Sequence, residues 1–281
     1  MASKEKKRRG GSLKIDFATI GGLIVAFGAI AAGLQMEGGK LQDISQVTSA
    51  LIVIGGTFGA CMVSTPGKVL WGAIKQFGAI FLGSEQSPDV LIEEIIGFAV
   101  LARRDGILAL EQPAESIADP FLRKAMSLAV DGVDTGRIRE TMMLEIATFE
   151  KHAEAEARVF EAAGGYSPTI GIIGAVIGLI QVMKNLANIE EVGRGIAVAF
   201  VATIYGVAVA NLVFLPAASK LKARVHQAAQ MKELALEGVI GIAEGLNQKL
   251  IRIKLEAFVH GPTRAPKPDR LPAESAAPVE A

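Results

Sequence analysis

Four runs of this chain, 17–36, 44–67, 162–183 and 195–219, hold no Asp, Glu, Lys, Arg or His. Each matches the roughly 20 residues a helix needs to cross the hydrocarbon core of a bilayer. The stretches between them read as amphipathic or charged helices. "GKVLWGAIKQFGAIFLG" (67–83) reads as a helix lying on the membrane surface after the second run. Ser87 and Pro88 supply a cap and a first turn for the next helix. Asp105-Gly106 breaks that helix after "LARR", and Pro113 ends the short apolar segment that follows. "DPFLRKAMSLAVDG" (119–132) is a further short helix closed by glycine. From about 135 to 163 the chain is strongly helical, with only Gly164-Gly165 before the third run. The fourth run continues through 219–260 with no strong break. No strand alternation and no internal repeat interrupts this order.

The pattern therefore predicts an all-α, polytopic membrane protein with four transmembrane helices and long cytoplasmic helical extensions. Its expected parts are a basic amino-terminal segment (1–14), a first pair of spans (15–66), a helical body (67–164), a second pair of spans (165–218), a helical extension (219–260) and a disordered Pro-, Ala- and Glu-rich tail (261–281).

The third run has an unusual make-up. In "YSPTIGIIGAVIGLIQVM" (166–183), Pro168, Gly171, Gly174, Ala175 and Gly178 share one helical face, and isoleucine, valine and leucine cover the rest. Glycine and proline weaken helices, proline by roughly 3 kcal/mol in an interior position, so close packing on that flat face must compensate. The fourth run repeats the device with Ala199, Thr203, Gly206 and Ala210. Small faces let helices or another chain's backbone approach closely.

Composition adds orientation and removes several function classes. Mean hydropathy is +0.40 with 5% aromatics, and net charge is zero, so nothing draws the chain to nucleic acid. "KEKKRR" (4–9) before the first run and "SKLKAR" (219–224) after the fourth predict both termini in the cytoplasm. The first run is longer than a signal h-region and reads as an anchor. Cys61 is the single cysteine, inside an apolar run, and reads as a small buried hydrophobe. His152, His226 and His260 are scattered, no phosphate-binding glycine loop occurs, and no nucleophile-base arrangement stands out. No catalytic residue, metal ligand or cofactor is expected, and the chain does not read as an enzyme. Proton-moving proteins usually carry Asp, Glu or His within a span. Here the mid-membrane polar groups of the third and fourth runs are few, Thr169, Gln181, Thr203, Tyr205 and Asn211, so if ions pass along these faces a titrating carboxylate must come from another polypeptide.

The layout resembles the MotA family of bacterial flagellar stator subunits, within the MotA/TolQ/ExbB superfamily, over about residues 15–255. "LARRDGILALE" (101–111), "PFLRKAMSLAVDG" (120–132), "YSPTIGIIGAVIGLIQVM" (166–183) and "VAFVATIYGVAVANLVFLPAASKL" (198–221) carry the likeness. It implies a stator subunit in the bacterial inner membrane, coupling proton flow to rotation in a homo-oligomeric ring of five. Two helices of a MotB-type, single-span, peptidoglycan-binding partner would stand at the centre of that ring and carry the ion-binding aspartate. The rotor switch protein FliG would be driven. The resemblance further implies that Pro168, Thr203 and Pro216 belong to the ion pathway, and that Arg103 and Glu111, with Arg104 beside them, meet the rotor. On that reading the flat face of Gly171, Gly174, Ala175 and Gly178 packs against the partner's helix, and the bulky face meets neighbouring spans. Gln112 and Ala114 separate Glu111 from Glu115, a departure from the family's acidic pattern that leaves the set of rotor-facing charges open. Sodium coupling, an ExbB/TolQ-like energiser of outer-membrane processes, and a membrane scaffold without ion flux are the competing readings. Ala175 stands where sodium-driven relatives place a threonine, which favours the proton.

Overall fold

The computed structural model describes residues 14–80, 82–83 and 87–260. Residues 1–13 and the tail expected to be disordered lie outside the described residues. The helices, in order, are α1 (Phe17–Met36), α2 (Val47–Ser64), α3 (Gly67–Ala79), α4 (Pro88–Asp105), α5 (Glu111–Glu115), α6 (Pro120–Val130), α7 (Thr135–Lys184), α8 (Ile189–Ala243) and α9 (Gln248–His260). Four of them, α1, α2, α7 and α8, are long and apolar enough to cross a membrane. The protein is an all-α, polytopic membrane protein with a single small exception. Lys14–Ile15 (β1) pairs antiparallel with Leu82–Gly83 (β2), a match too short to leave any alternation in the sequence.

Three local details differ from the pattern-based expectation. Pro113 does not end a segment. It lies inside α5, in a first turn where its missing N–H costs no hydrogen bond. Nor do Gly164-Gly165 or Pro168 interrupt α7, which runs unbroken for 50 residues, about 75 Å at the standard rise. The stretch 219–260, by contrast, is broken. Gly245 adopts φ 69°, Gly245 N–H donates to Ile242 O and Leu246 N–H to Gly241 O, so α8 stops in a glycine-terminated double cap. Asn247 then caps α9 by accepting from Lys249 N–H at 3.0 Å.

Caps elsewhere follow the sequence. Asp16 accepts from Thr19 N–H at 3.1 Å and starts α1, and Asp119 accepts from Phe121 N–H at 2.9 Å ahead of Pro120. Asn188 caps α8, whose first turn carries Glu190 and Glu191 where the helix dipole favours acids.

Contacts within the chain fall into two units, Met1–Ser87 with Gly136–Glu233, and Pro88–Thr135 with Leu234–Ala281. In the first, α3 turns Val69, Leu70 and Ala73 onto Ala157, Phe160 and Leu221, and the Phe77 and Phe160 rings stack with centroids 5.6 Å apart. Trp71 and Ile74 stay on the exposed side of α3, as an amphipathic surface helix requires. Cys61 is buried in α2, as its apolar surroundings predict. In the second unit, Ile92, Ile95 and Ala99 of α4, Leu122 and Met126 of α6, and Ile251 and Leu255 of α9 are buried. Gly238 lets the end of α8 close on Ile95, where an added methyl would stand 2.7 Å from the Ile95 side chain. Arg252 grips Glu93 with two hydrogen bonds of 2.6 and 2.9 Å.

Candidate functional site

The flat faces of α7 and α8 close on each other. A methyl added to Gly171 would stand 2.8 Å from the Ala202 carbonyl oxygen, and one on Gly178 would stand 2.7 Å from the Gly195 carbonyl oxygen. From the other side, a methyl on Gly206 would lie 2.7 Å from the Ser167 carbonyl oxygen. Gly174 fits against the Ala202 methyl and Ile52 of α2. This is backbone-to-backbone contact, possible only where both helices lack side chains at matching heights. Gly171, Gly174 and Gly178 are buried against the chain's own helices. The sequence shows both small stripes, but not that they lie in register.

Pro168, Ala175 and Thr203 remain half-buried beside this seam. Gly206 packs on Pro168 and Gly171 on Thr203: a methyl on Gly206 would lie 3.2 Å from Pro168 Cα, and one on Gly171 3.5 Å from Thr203 Cα. Pro168 sits inside α7 instead of at a helix start, so the Gly164 carbonyl has no N–H four residues on. Thr203 donates its hydroxyl to the Ala199 carbonyl at 3.1 Å, the local bond a helical threonine makes. Pro216 lies next to Leu215, whose side chain packs on Gly164 of α7. It follows a π-turn over Ala210–Phe214 that loosens the helix ahead of it, and it lines a cavity of about 310 Å³ with Thr19, Phe77 and Lys220.

Polar groups that the sequence did not single out brace the first unit. Tyr205 donates to the Ile44 carbonyl at 2.6 Å and accepts from Gln46 N–H at 3.3 Å, tying α8 to the chain before α2. Asp16 receives Lys220 and, at 3.4 Å, Arg224, which joins the start of α1 to α8. The Lys220 ammonium and the Thr19 N–H hold its carboxyl at about 2. Ser167, beside Pro168, is fully buried and its hydroxyl has no partner among the described residues. No local pattern announces a contact 204 residues away.

The charged positions belong to the second unit. Arg103, Arg104 and Glu111 are exposed around the turn that Gly106 makes at φ 85°. Arg104 forms a bidentate pair with the adjacent Asp105, with its closest contact at 2.8 Å, which draws the Asp105 carboxyl below its ordinary range. Among the described residues no ion pair joins Arg103 to Glu111. Chemically, the first unit offers a close-packed wall whose four apolar runs hold no Asp, Glu, Lys, Arg or His, and the second offers exposed charges of both signs.

Two family models match the chain: MotA/TolQ/ExbB proton channel family over residues 113–234, and Motility protein A N-terminal over residues 20–104. Motility protein A of Bacillus subtilis is 36% identical over 261 residues, covering 92% of this chain and 93% of that protein. Among solved structures, the C. jejuni MotAB structure superimposes with a TM-score of 0.84 at 35% identity, over 89% of this chain and 98% of that one. The flagellar MotAB stator complex from Bacillus subtilis gives 0.80 at 36% identity, over 86% and 95%.

Proposed function

The chain belongs to the MotA/TolQ/ExbB proton channel family, and we infer from the α7–α8 wall how it works as a subunit of the flagellar stator. Its partner is a MotB-type protein, the second component named in the similar stator complexes. The carrying observation is a negative space in the chemistry. The apolar runs 162–183 and 195–219 meet backbone to backbone and contain no carboxylate, histidine, lysine or arginine. We assign the relay carboxylate to the single-span partner, whose helices pass the half-buried strip of Pro168, Ala175 and Thr203 in a ring of five such subunits. Pro216, beside the loosened turn of α8, is the second pathway proline. Gly171, Gly174 and Gly178 serve that pathway by fixing the wall.

Proton coupling follows from the oxygens on offer. A sodium ion sheds water only where several oxygens replace it, whereas a proton needs one carboxylate. Ala175 contributes a methyl, and Thr203 is the single side-chain hydroxyl at that level of the strip. The chain is placed in the inner membrane with both termini cytoplasmic, which "KEKKRR" and "SKLKAR" support. The second unit then faces the rotor switch protein FliG through Arg103, Arg104 and Glu111. It carries out no enzymatic reaction.

The test is reconstitution. Liposomes holding this chain alone keep an imposed pH gradient, and liposomes holding it with its partner, unplugged, dissipate it. Robust flux from the lone subunit would overturn the shared channel.

A further inference from the structure

Leu108 stands among the charges assigned to the rotor. Gly106 turns the chain out of α4, and Ile107–Leu110 makes one tight 3-10 turn, closed by Ala109 N–H on Gly106 O. Leu110 is fully buried and Ile107 half-buried, which pins the turn, while Leu108 is 70% exposed. Val90 at 68% and Ile253 at 64% are the next most exposed large apolar side chains described in this unit; Ile253 also lies between two cations, Arg252 and Lys254, but those are held by Glu93 and Glu237. Arg103, Arg104 and Asp105 precede Leu108, and Glu111, Gln112 and Glu115 follow it, all exposed.

A single exposed leucine elsewhere would call for no explanation. Here the flanking charges are poorly suited to bear load by themselves. Arg104 is engaged by Asp105, and exposed ion pairs hold weakly. Charges steer an encounter and set its register, whereas resistance to separation comes from a desolvated apolar anchor inside a polar rim.

We propose that Leu108 is the apolar anchor of the stator–rotor contact, seating in a small apolar pocket on the rotor whose rim carries charges opposite to Arg103 and Glu111. This rests on the rotor-facing reading of those two residues. The charges orient each engagement, and the leucine keeps it from slipping under load.

The experiment uses the full chain with its partner in cells, comparing Leu108→Ala, Leu108→Asn and Leu108→Met with a double reversal, Arg103→Glu with Glu111→Arg. Torque per stator is read from single-motor steps, alongside the amount of assembled complex and its proton flux. Leu108→Ala should lose torque several-fold and Leu108→Asn nearly all of it, with assembly and flux unchanged, and Leu108→Met should keep most. Wild-type torque in the Ala and Asn variants beside a stalled double reversal sinks the anchor and leaves the rotor-facing reading standing. Wild-type torque in the double reversal removes that reading and the anchor with it. A fall in assembled complex for Leu108→Asn means that the leucine packs within the fold or on a second copy, which also overturns the proposal.

Discussion

The first span and the α7–α8 pair are made of similar material and use it in opposite ways. Mean hydropathy is 2.1 for α1 and 2.2 for the apolar part of α8, so oiliness does not tell them apart. Both are also rich in glycine. At Gly21, Gly22, Gly28 and Gly33 of α1, nothing lies within 4 Å of where a side chain would begin. At Gly171, Gly178 and Gly206 that point is 2.7 to 2.8 Å from another helix's backbone oxygen. No residue of α1 is buried. Hydrophobicity puts a helix in the membrane, and small residues at matching heights on two helices decide what it touches.

The harshest way to break this contrast is to add bulk on both sides of it. Gly171→Leu and Gly178→Leu each force a side chain into a neighbouring backbone that has nowhere to move. Overpacking of this kind costs about 1–3 kcal/mol and sometimes more. The yield of folded complex and its melting temperature should fall sharply. Gly22→Leu meets nothing within the chain, so the subunit itself should fold as before. If Gly22→Leu subunits fold but no longer form rings, the α1 glycines are packing against a second copy.

Prolines sharpen the comparison, because α1 has none and α7 keeps Pro168 mid-helix. Pro168→Ala restores the N–H that the Gly164 carbonyl lacks, and interior proline is about 3 kcal/mol less favourable than alanine. The variant should melt no lower than wild type, yet its proton flux with the partner should drop roughly tenfold, about 1.4 kcal/mol in barrier. Lower stability with unchanged flux would reduce Pro168 to a packing residue.

What could be read in advance follows the same line. Span number, helical character and the helix start at Pro88 are local signals, written in charge-free runs and in a proline at a first turn. Pairing is not local. The stripe Gly171, Gly174, Gly178 was visible, but its interlock with the α8 stripe was not, because a sequence shows which faces are flat and not which flat faces share a height. Pro113 and Gly164-Gly165 were overread as breakers, since a first-turn proline loses no bond and packing outweighs glycine's cost. Gly245 was underread: only its positive φ and the paired caps on Gly241 and Ile242 reveal the end of α8.

A milder effect comes from the one firm attachment of α1. Asp16 links it to Lys220 and Arg224, and its carboxyl sits at about 2 against an ordinary 3.8. A depressed carboxylate contributes stability that is complete above the unfolded value and fades as pH falls from about 3.8 through about 2. Paired spin labels on α1 and α8 should therefore hold their separation at neutral pH and broaden only in that acid window. Asp16→Asn should show the broadened distribution at every pH, with a modest loss of motility. An unchanged distribution in Asp16→Asn would mean that α1 is held by something other than this charge cluster.

The smallest expected effect is none at all, and it concerns the coupling ion. The strip beside the α7–α8 seam is as poor in oxygen as the lipid-facing side of α1 is in charge. Thr203 is its one hydroxyl, already donating to Ala199, and Ala175 has only a methyl to offer. The Gly164 carbonyl freed by Pro168 adds one further oxygen, still short of the oxygen shell that a sodium ion stripped of its water needs. Swimming speed at fixed pH should therefore stay flat as external sodium is varied with ionic strength held constant, and should collapse when a protonophore is added. Ala175→Thr places a second hydroxyl on the strip. If wild-type speed instead tracks sodium and ignores the protonophore, carbonyls near Pro168 are coordinating a cation, and the interlocked pair is more than a bare wall.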